Sequence, residues 1–237
     1  MSSKGKRRLI VVGAAVVAAG VAFILIGMLG RPRIGGATPD ERITSICRLA
    51  DTKSSGAGDA LAEAAVKEAD VRVRQAALIG LGQFVEPKYR ATVEQCTLDA
   101  SAPVRRAAAI TLGLYGDEGA AARLGEVVRR DPAEEVRLGA VMGLGLCAAP
   151  ETLAWLLEAA EKDDAPDVQL QAIKELYAKF GAEYYRELDS VPDWPYEAAA
   201  SVEYLKTFPG VQEAFRKAGV ALVRRPEYQW RHQDERD

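Results

Sequence analysis

One ten-residue pattern of apolar and polar positions returns along the chain. It runs Val73-Arg74-Gln75-Ala76-Ala77-Leu78-Ile79-Gly80-Leu81-Gly82, recurs over Val104–Gly113 and Val136–Gly145, and has a worn copy at Val168–Tyr177. The copies are 31, 32 and 32 residues apart. Within the first, Val73, Ala76, Ala77, Gly80 and Leu81 fall at i, i+3, i+4, i+7 and i+8, one continuous face of an α-helix. Val104, Ala107, Ala108, Thr111 and Leu112 repeat that face, as do Val136, Gly139, Ala140, Gly143 and Leu144. A second helical stretch precedes each copy: Asp59–Ala69, Lys88–Ala100, Gly119–Arg130 and Glu151–Lys162. Two helices per period of this length predict a stacked array, since each pair must bury its apolar face against the next.

The ends of the helices are marked as well. Pro39-Asp40 reads as a helix start, and Ile46 and Leu49 lie 32 residues before Leu78 and Leu81. Residues 40–50 are therefore predicted as the second helix of an incomplete first unit, followed by a flexible loop over Ser54–Gly58. Pro87 and Pro150 stand where helices begin. Gly82, Gly113 and Gly145 fit left-handed helix C-termini.

A polar periodicity runs beside the apolar one. Glu68, Asp99, Asp131 and Asp163 recur at 31, 32 and 32 residues, with Arg74, Arg105, Arg137 and Gln169 six residues after each. An acid in the turn and an arginine in the next helix can bond along the stack, because the planar guanidinium holds two acceptors at once. The whole pattern (acid, short turn, Val-Arg-x-Ala-Ala, Leu-Gly) resembles HEAT repeats, in the short bacterial form also found in phycobilisome-lyase-type proteins. The resemblance covers residues 40–182. It implies an all-α fold, an α-solenoid of HEAT-like helix pairs with the second helices on the concave side and an Asp–Arg ladder along it. Copy four departs from the pattern: Gln169 replaces the arginine, and Gln171 and Glu175 enter the apolar face. A polar terminal repeat is what the end of a solenoid needs.

The N-terminus is of another kind. Leu9–Leu29 is 21 residues without a charge, about 30 Å as a helix and enough to span a bilayer. It is longer than an ordinary signal-peptide core, so residues 9–30 are expected to form an uncleaved transmembrane helix between a basic cytoplasmic segment, 1–8, and a linker, 31–39. Lys4, Lys6, Arg7 and Arg8 precede the span and Arg31 and Arg33 follow it. That balance favours a cytoplasmic N-terminus and an array outside the cytoplasm, periplasmic in a Gram-negative cell. Ala14, Ala18 and Ala22 form a small-residue face suited to pairing of spans, which leaves a homodimer open. The absence of asparagine and the preference for arginine over lysine point to GC-rich coding and a bacterial source.

Charge narrows the partners. Residues 1–37 hold six bases and no acid, which leaves 25 bases against 34 acids in residues 38–237, a net of −9. Such an array suits a basic protein partner and not nucleic acid, which needs a basic face. The end of the chain, 183–237, is a helical cap with a loose tail. It holds nine of the 16 aromatics, with helices predicted over Pro195–Thr207 and Pro209–Arg224. Tyr184, Tyr185, Trp194 and Tyr196 are candidate partner-binding residues there, since aromatics are enriched at interfaces.

No catalytic set emerges. Gly143-Leu144-Gly145-Leu146-Cys147-Ala148 matches a dinucleotide-loop spacing but ends a helix instead of following a strand. Asp163, Asp164 and Asp167 lack the Ca²⁺-loop spacing. His232 is the single histidine. Cys47, Cys96 and Cys147 occupy apolar register positions and read as buried small hydrophobes, not metal ligands. The reading is a non-enzymatic, membrane-anchored scaffold for protein–protein interaction, with no cofactor. Two alternatives stay open: a chromophore-lyase-like enzyme, on fold analogy alone, and a self-assembling structural membrane protein.

Overall fold

The computed structural model describes residues 32–180, 202, 203, 206 and 209–222. Among these there are ten α-helices and no strand. Helix α1 (Pro39–Thr52) opens on a capping box: the Thr38 hydroxyl accepts the Glu41 N–H at 3.3 Å, and Glu41 Oε2 accepts the Thr38 N–H at 3.1 Å. The following loop is shorter than expected. The Ser54 hydroxyl accepts the Ala57 N–H, so residues 55–58 form the first turn of α2 (Ser55–Lys67). Left-handed Lys53 makes the break between the two helices.

Helices α3 (Val71–Leu81), α4 (Pro87–Cys96), α5 (Ala102–Gly113), α6 (Glu118–Arg130), α7 (Glu134–Leu146), α8 (Thr152–Lys162) and α9 (Pro166–Phe180) complete the stack. The pairs are α2/α3, α4/α5, α6/α7 and α8/α9, with α1 as the half-unit at the start. Helix α4 stops four residues before the predicted Ala100. Leu98 and Asp99 donate their N–H groups to carbonyls three residues back, and the Thr97 hydroxyl donates to the Glu94 carbonyl. This tight final turn ends the helix and places Asp99 at the junction.

The apolar face predicted for the second helices is the core. Val73, Ala77, Leu81, Val104, Ala108, Leu112, Val136, Ala140 and Leu144 are all buried. Each second helix packs on the next, α1 on α3, α3 on α5, α5 on α7 and α7 on α9. Between α5 and α7 the backbones themselves meet: a Cβ on Gly113 would lie 2.4 Å from the Gly143 carbonyl oxygen, and one on Gly143 would lie 2.7 Å from that of Ala109. This corrects the expectation for the Leu-Gly glycines. Gly82 is right-handed, with φ −59°, and Gly113 and Gly145 are the last and next-to-last residues of their helices. They are small because a neighbour needs the space, not because a left-handed cap does. The left-handed glycine in this region is Gly116, in the turn beyond α5.

The first helices form a looser row. α2 meets α4 and α6 meets α8, but α4 and α6 are joined mainly by polar reach. Arg123 donates to the Thr97 hydroxyl from Nε and Nη2, at 3.1 and 2.9 Å, and Arg90 pairs with Asp117. A tight row of second helices beside a looser row of first helices fits the concave, inner side that the HEAT resemblance implies for the second helices. At the far end Val202, Val211 and Phe215 join the same core, the latter two from helix α10 (Pro209–Lys217). Lys206, also buried, donates to Glu161 at 2.5 Å and Glu203 at 2.8 Å, tying this segment to α8. Residues 9–30, Tyr184, Tyr185, Trp194 and Tyr196 lie outside the described residues. Among the described helices none is long and apolar enough to cross a membrane.

The backbone contact makes a prediction. Gly113→Ala should lower the urea midpoint and cost about 1–3 kcal/mol, because a backbone neighbour cannot step aside as a side chain would. Gly35→Ala, whose Cβ would meet nothing within 4 Å, should change stability by less than about 0.5 kcal/mol. Equal midpoints for the two variants would show that the α5–α7 approach is not fixed.

Candidate functional site: the ladder and the inner face

The turn between the helices of each pair holds a repeated clasp. Arg74 places Nε and Nη2 on the two carboxylate oxygens of Asp99, at 3.1 and 3.0 Å, while its Nη1 donates to the Glu68 and Ala69 carbonyls. Arg105 grips Asp131 at 2.7 and 3.0 Å and donates back to the Asp99 and Ala100 carbonyls. Arg137 holds Asp163 at 2.9 Å through both nitrogens, reaches the Asp131 carbonyl, and also touches Asp164. At the fourth position Gln169 keeps only the backward bond, to the Asp163 carbonyl at 2.7 Å.

Each aspartate has a third duty. Asp99, Asp131 and Asp163 accept the N–H of the residue two places on (Ser101, Ala133 and Ala165) at 2.8, 3.0 and 2.9 Å, which fixes the turn into the next helix. Burial opposes ionisation of Asp99, but the Arg74 and Ser101 hydrogen bonds and the charges of Arg74 and Arg105 outweigh it and hold the carboxyl below its usual range. The Asp131 carboxylate holds Arg105 above the ordinary arginine value, and Asp163 does the same for Arg137.

The first rung is built differently. Glu68 pairs with Arg42 at 3.4 Å, and Asp70 takes over the turn by accepting the Arg72 N–H at 2.8 Å. Arg42 was not among the expected ladder residues, although it lies 32 residues before Arg74 and the period already pointed to it.

The side of the second helices turned away from the core carries a second periodic feature. Cys47, Ile79, Ile110, Met142 and Lys174 form one column across successive helices; Asp51, Gln83, Leu114, Leu146 and Ala178 form the next, one turn along. Ile79 is 60% exposed, Leu146 52% and Leu114 41%, with Ile110 and Met142 half-buried beside them. Cys47 is exposed too, contrary to expectation. It lies in register with Ile79, which faces outward as well. Cys96 and Cys147 are buried; burial pushes the Cys96 thiol up to about 11 and raises that of Cys147 as well.

This array matches the family model for HEAT repeats over residues 58–140 and again over 122–190. The chain belongs to the HEAT-repeat family. A solved structure with the same fold is the complex of CpcE and CpcF of phycocyanin lyase from Nostoc sp. PCC7120, 19% identical, with 79% of each chain covered and a TM-score of 0.54. No curated protein matches the chain in sequence.

Other positions in the HEAT array are occupied structurally. Gly143 and Gly145 lie inside α7, so no strand leads into the dinucleotide-like spacing. Asp163 and Asp164 both serve Arg137. Among the described residues no group of three or more His, Cys, Asp or Glu is placed to hold a metal. A hollow of about 320 Å³ opens between α6 and α8 beside Trp155. Its tryptophan rests on Gly125 and carries Arg129 at 4.7 Å from the ring centroid, and that arginine is in turn paired with Glu158.

Two measurements test the ladder. Arg105→Ala should cost about 1.5–3 kcal/mol and Arg106→Ala about 0–1, since the first loses a bidentate carboxylate and two carbonyls and the second loses none of these. Equal urea midpoints would refute the clasp. Because the folded pKa of Asp99 is depressed, its contribution is present above the unfolded value, about 3.9, and is lost as pH falls through the folded one. Asp99→Asn should therefore be less stable than the wild type at pH 7, with the gap narrowing below about pH 4 in acid titrations of the urea midpoint.

Proposed function

We propose that the protein is a scaffold that binds another protein on the inner face of its HEAT array. One observation carries this reading: large apolar side chains stand exposed in repeat register along the second helices, at Ile79, Leu114 and Leu146, with Ile110 and Met142 between them. Scattered apolar exposure is ordinary, but a contiguous apolar strip on a curved array is the form an interaction surface takes. The net of −9 in residues 38–237 favours a basic partner and an association that weakens with salt. On the same reading residues 9–30 tether the scaffold to the bilayer with the array outside the cytoplasm. The uncharged run and the heavier positive charge before it support this.

A second reading is a chromophore-lyase-like enzyme, favoured by the structural likeness to the phycocyanin lyase chains. Pigment co-purifying with the chain, or turnover of a pigment, would establish it in place of the scaffold.

Site-directed photo-crosslinking in cells separates these. A photoreactive residue at Ile79 or Leu146 should give protein adducts, and one at Ala122, exposed on the outer helix α6, should not. Adducts from Ala122 alone would move the surface to the outer row. Protease added to intact spheroplasts should remove the array; protection until lysis would reverse the orientation.

A further inference from the structure

Seven arginines among the described residues are part-buried, and six of them hold a carboxylate: Arg42, Arg74, Arg90, Arg105, Arg123 and Arg137. The seventh, Arg106, has no acid among the described residues; its Nε is buried without a hydrogen-bond partner, as Arg42 Nε is, but Arg42 has the Glu68 carboxylate at 3.4 Å and Arg106 has none. Its place is built for it. A Cβ on Gly139 would lie 2.7 Å from Arg106 Cγ, so the arginine stem lies across α7 where the glycine leaves room. It stands in the column Ile43, Gln75, Arg106, Leu138, Leu170 of the inner face, one helical turn from Ile110 and next to Leu138. A guanidinium whose Nε is out of reach of water and unpaired carries a cost that an acceptor at its open edge would offset.

We infer that Arg106 is the specificity-determining residue of the inner face, and that the partner it fits is an amphipathic helix carrying one carboxylate on its apolar side. The inference rests on the proposal that the second-helix face is the docking surface. A carboxylate matches the two-donor fork of arginine, which a neutral group does not. A helix is the fitting form because it satisfies its own backbone. The floor consists of helices whose backbone groups are already paired, and it has nothing to offer an extended strand. Neighbouring helices in such a stack lie about 8–10 Å apart. The strip from Ile79 across Ile110 to Met142 therefore spans roughly 20 Å, about 13 residues of a partner helix. Leu, Ile or Met at i, i+3, i+4 and i+7 would cover it, with Asp or Glu placed between them above Arg106.

The test is selection from a display library of 18-residue helical peptides with a randomised apolar face, against the full-length chain. Enriched peptides should carry an Asp or Glu on that face. Arg106→Met, which keeps the stem, should weaken them at least tenfold; Arg130→Met, an exposed arginine on the outer row, should leave them within twofold. Changing the peptide acid to its amide should cost the same tenfold against the wild type and little against Arg106→Met. Ile79→Glu and Leu146→Glu, at exposed positions that tolerate charge, should abolish binding. Peptides that lose binding to those two variants but are indifferent to Arg106→Met, or that contain no acid, would overturn the inference and leave the docking face standing. Peptides indifferent to Ile79→Glu and Leu146→Glu, or no enrichment at all, would overturn the docking face and the inference together.

Discussion

A carboxylate that must satisfy three donors at once sets the geometry of this chain. Asp99, Asp131 and Asp163 each receive two guanidinium nitrogens from the preceding repeat and one backbone N–H from their own turn. Their carbonyls meanwhile accept the arginine or glutamine of the next helix. One residue thus fixes the angle inside a helix pair and the distance to its neighbour. Aspartate suits the position because a short side chain reaches its own turn and the facing arginine without a free rotor between them. Where glutamate stands instead, at residue 68, the two duties separate: Glu68 faces Arg42 at 3.4 Å and Asp70 holds the turn.

The clasp holds one edge of the stack, and small residues on the second helices decide how the rest closes. Gly113 against Gly143 and Gly143 against Ala109 bring α5 and α7 together at backbone distance. The first helices carry bulkier contacts and longer polar links, such as Arg123 to Thr97. The second-helix row is therefore the more closely packed of the two, which is the asymmetry a curved solenoid requires. Close packing of successive second helices gathers their outward columns onto one surface, so residues remote in sequence, Ile79, Ile110 and Met142, become neighbours there. The same tight packing that sets the fold makes the strip contiguous.

Much of this was legible in the sequence because both periodicities are physical necessities of a stack. The face of Val73, Ala77 and Leu81 had to be buried, and an acid six residues before an arginine in three of the four copies pointed to a repeated contact. What escaped was information that lies between repeats. The Leu-Gly glycines carry a helix-end spacing, and nothing within one copy tells whether a glycine serves a left-handed turn or a neighbour's backbone; the Gly113–Gly143 approach appears only when two copies are superposed in space. The Ser54–Gly58 stretch has a loop's composition, yet Ser54 is a helix cap. Cys47 occupies an apolar register position and so reads as core, but that position, shared with Ile79, faces outward. Arg106 was legible as an arginine outside the ladder register. Its lack of an acid was not, because that depends on what the helices beside it present.

The acidic balance of the array and the cation Arg106 in its floor act at different ranges. Glu134, Glu135, Asp164 and Asp167 lie exposed at one end of the second helices, and Asp51, Asp117, Glu118 and Glu151 lie exposed toward the other. These rims border the apolar columns on two sides. Charges of this kind act through solvent over about a Debye length, roughly 8 Å at physiological salt, and govern how quickly a basic partner is drawn in more than how tightly it is kept. Arg106 acts only on contact. It cannot attract a basic segment from a distance, but once the apolar faces meet, a segment lacking an acid leaves its guanidinium desolvated and unpaired. An acidic rim around an apolar floor that holds Arg106 is thus a surface that gathers basic segments broadly and retains those with a carboxylate in the right register.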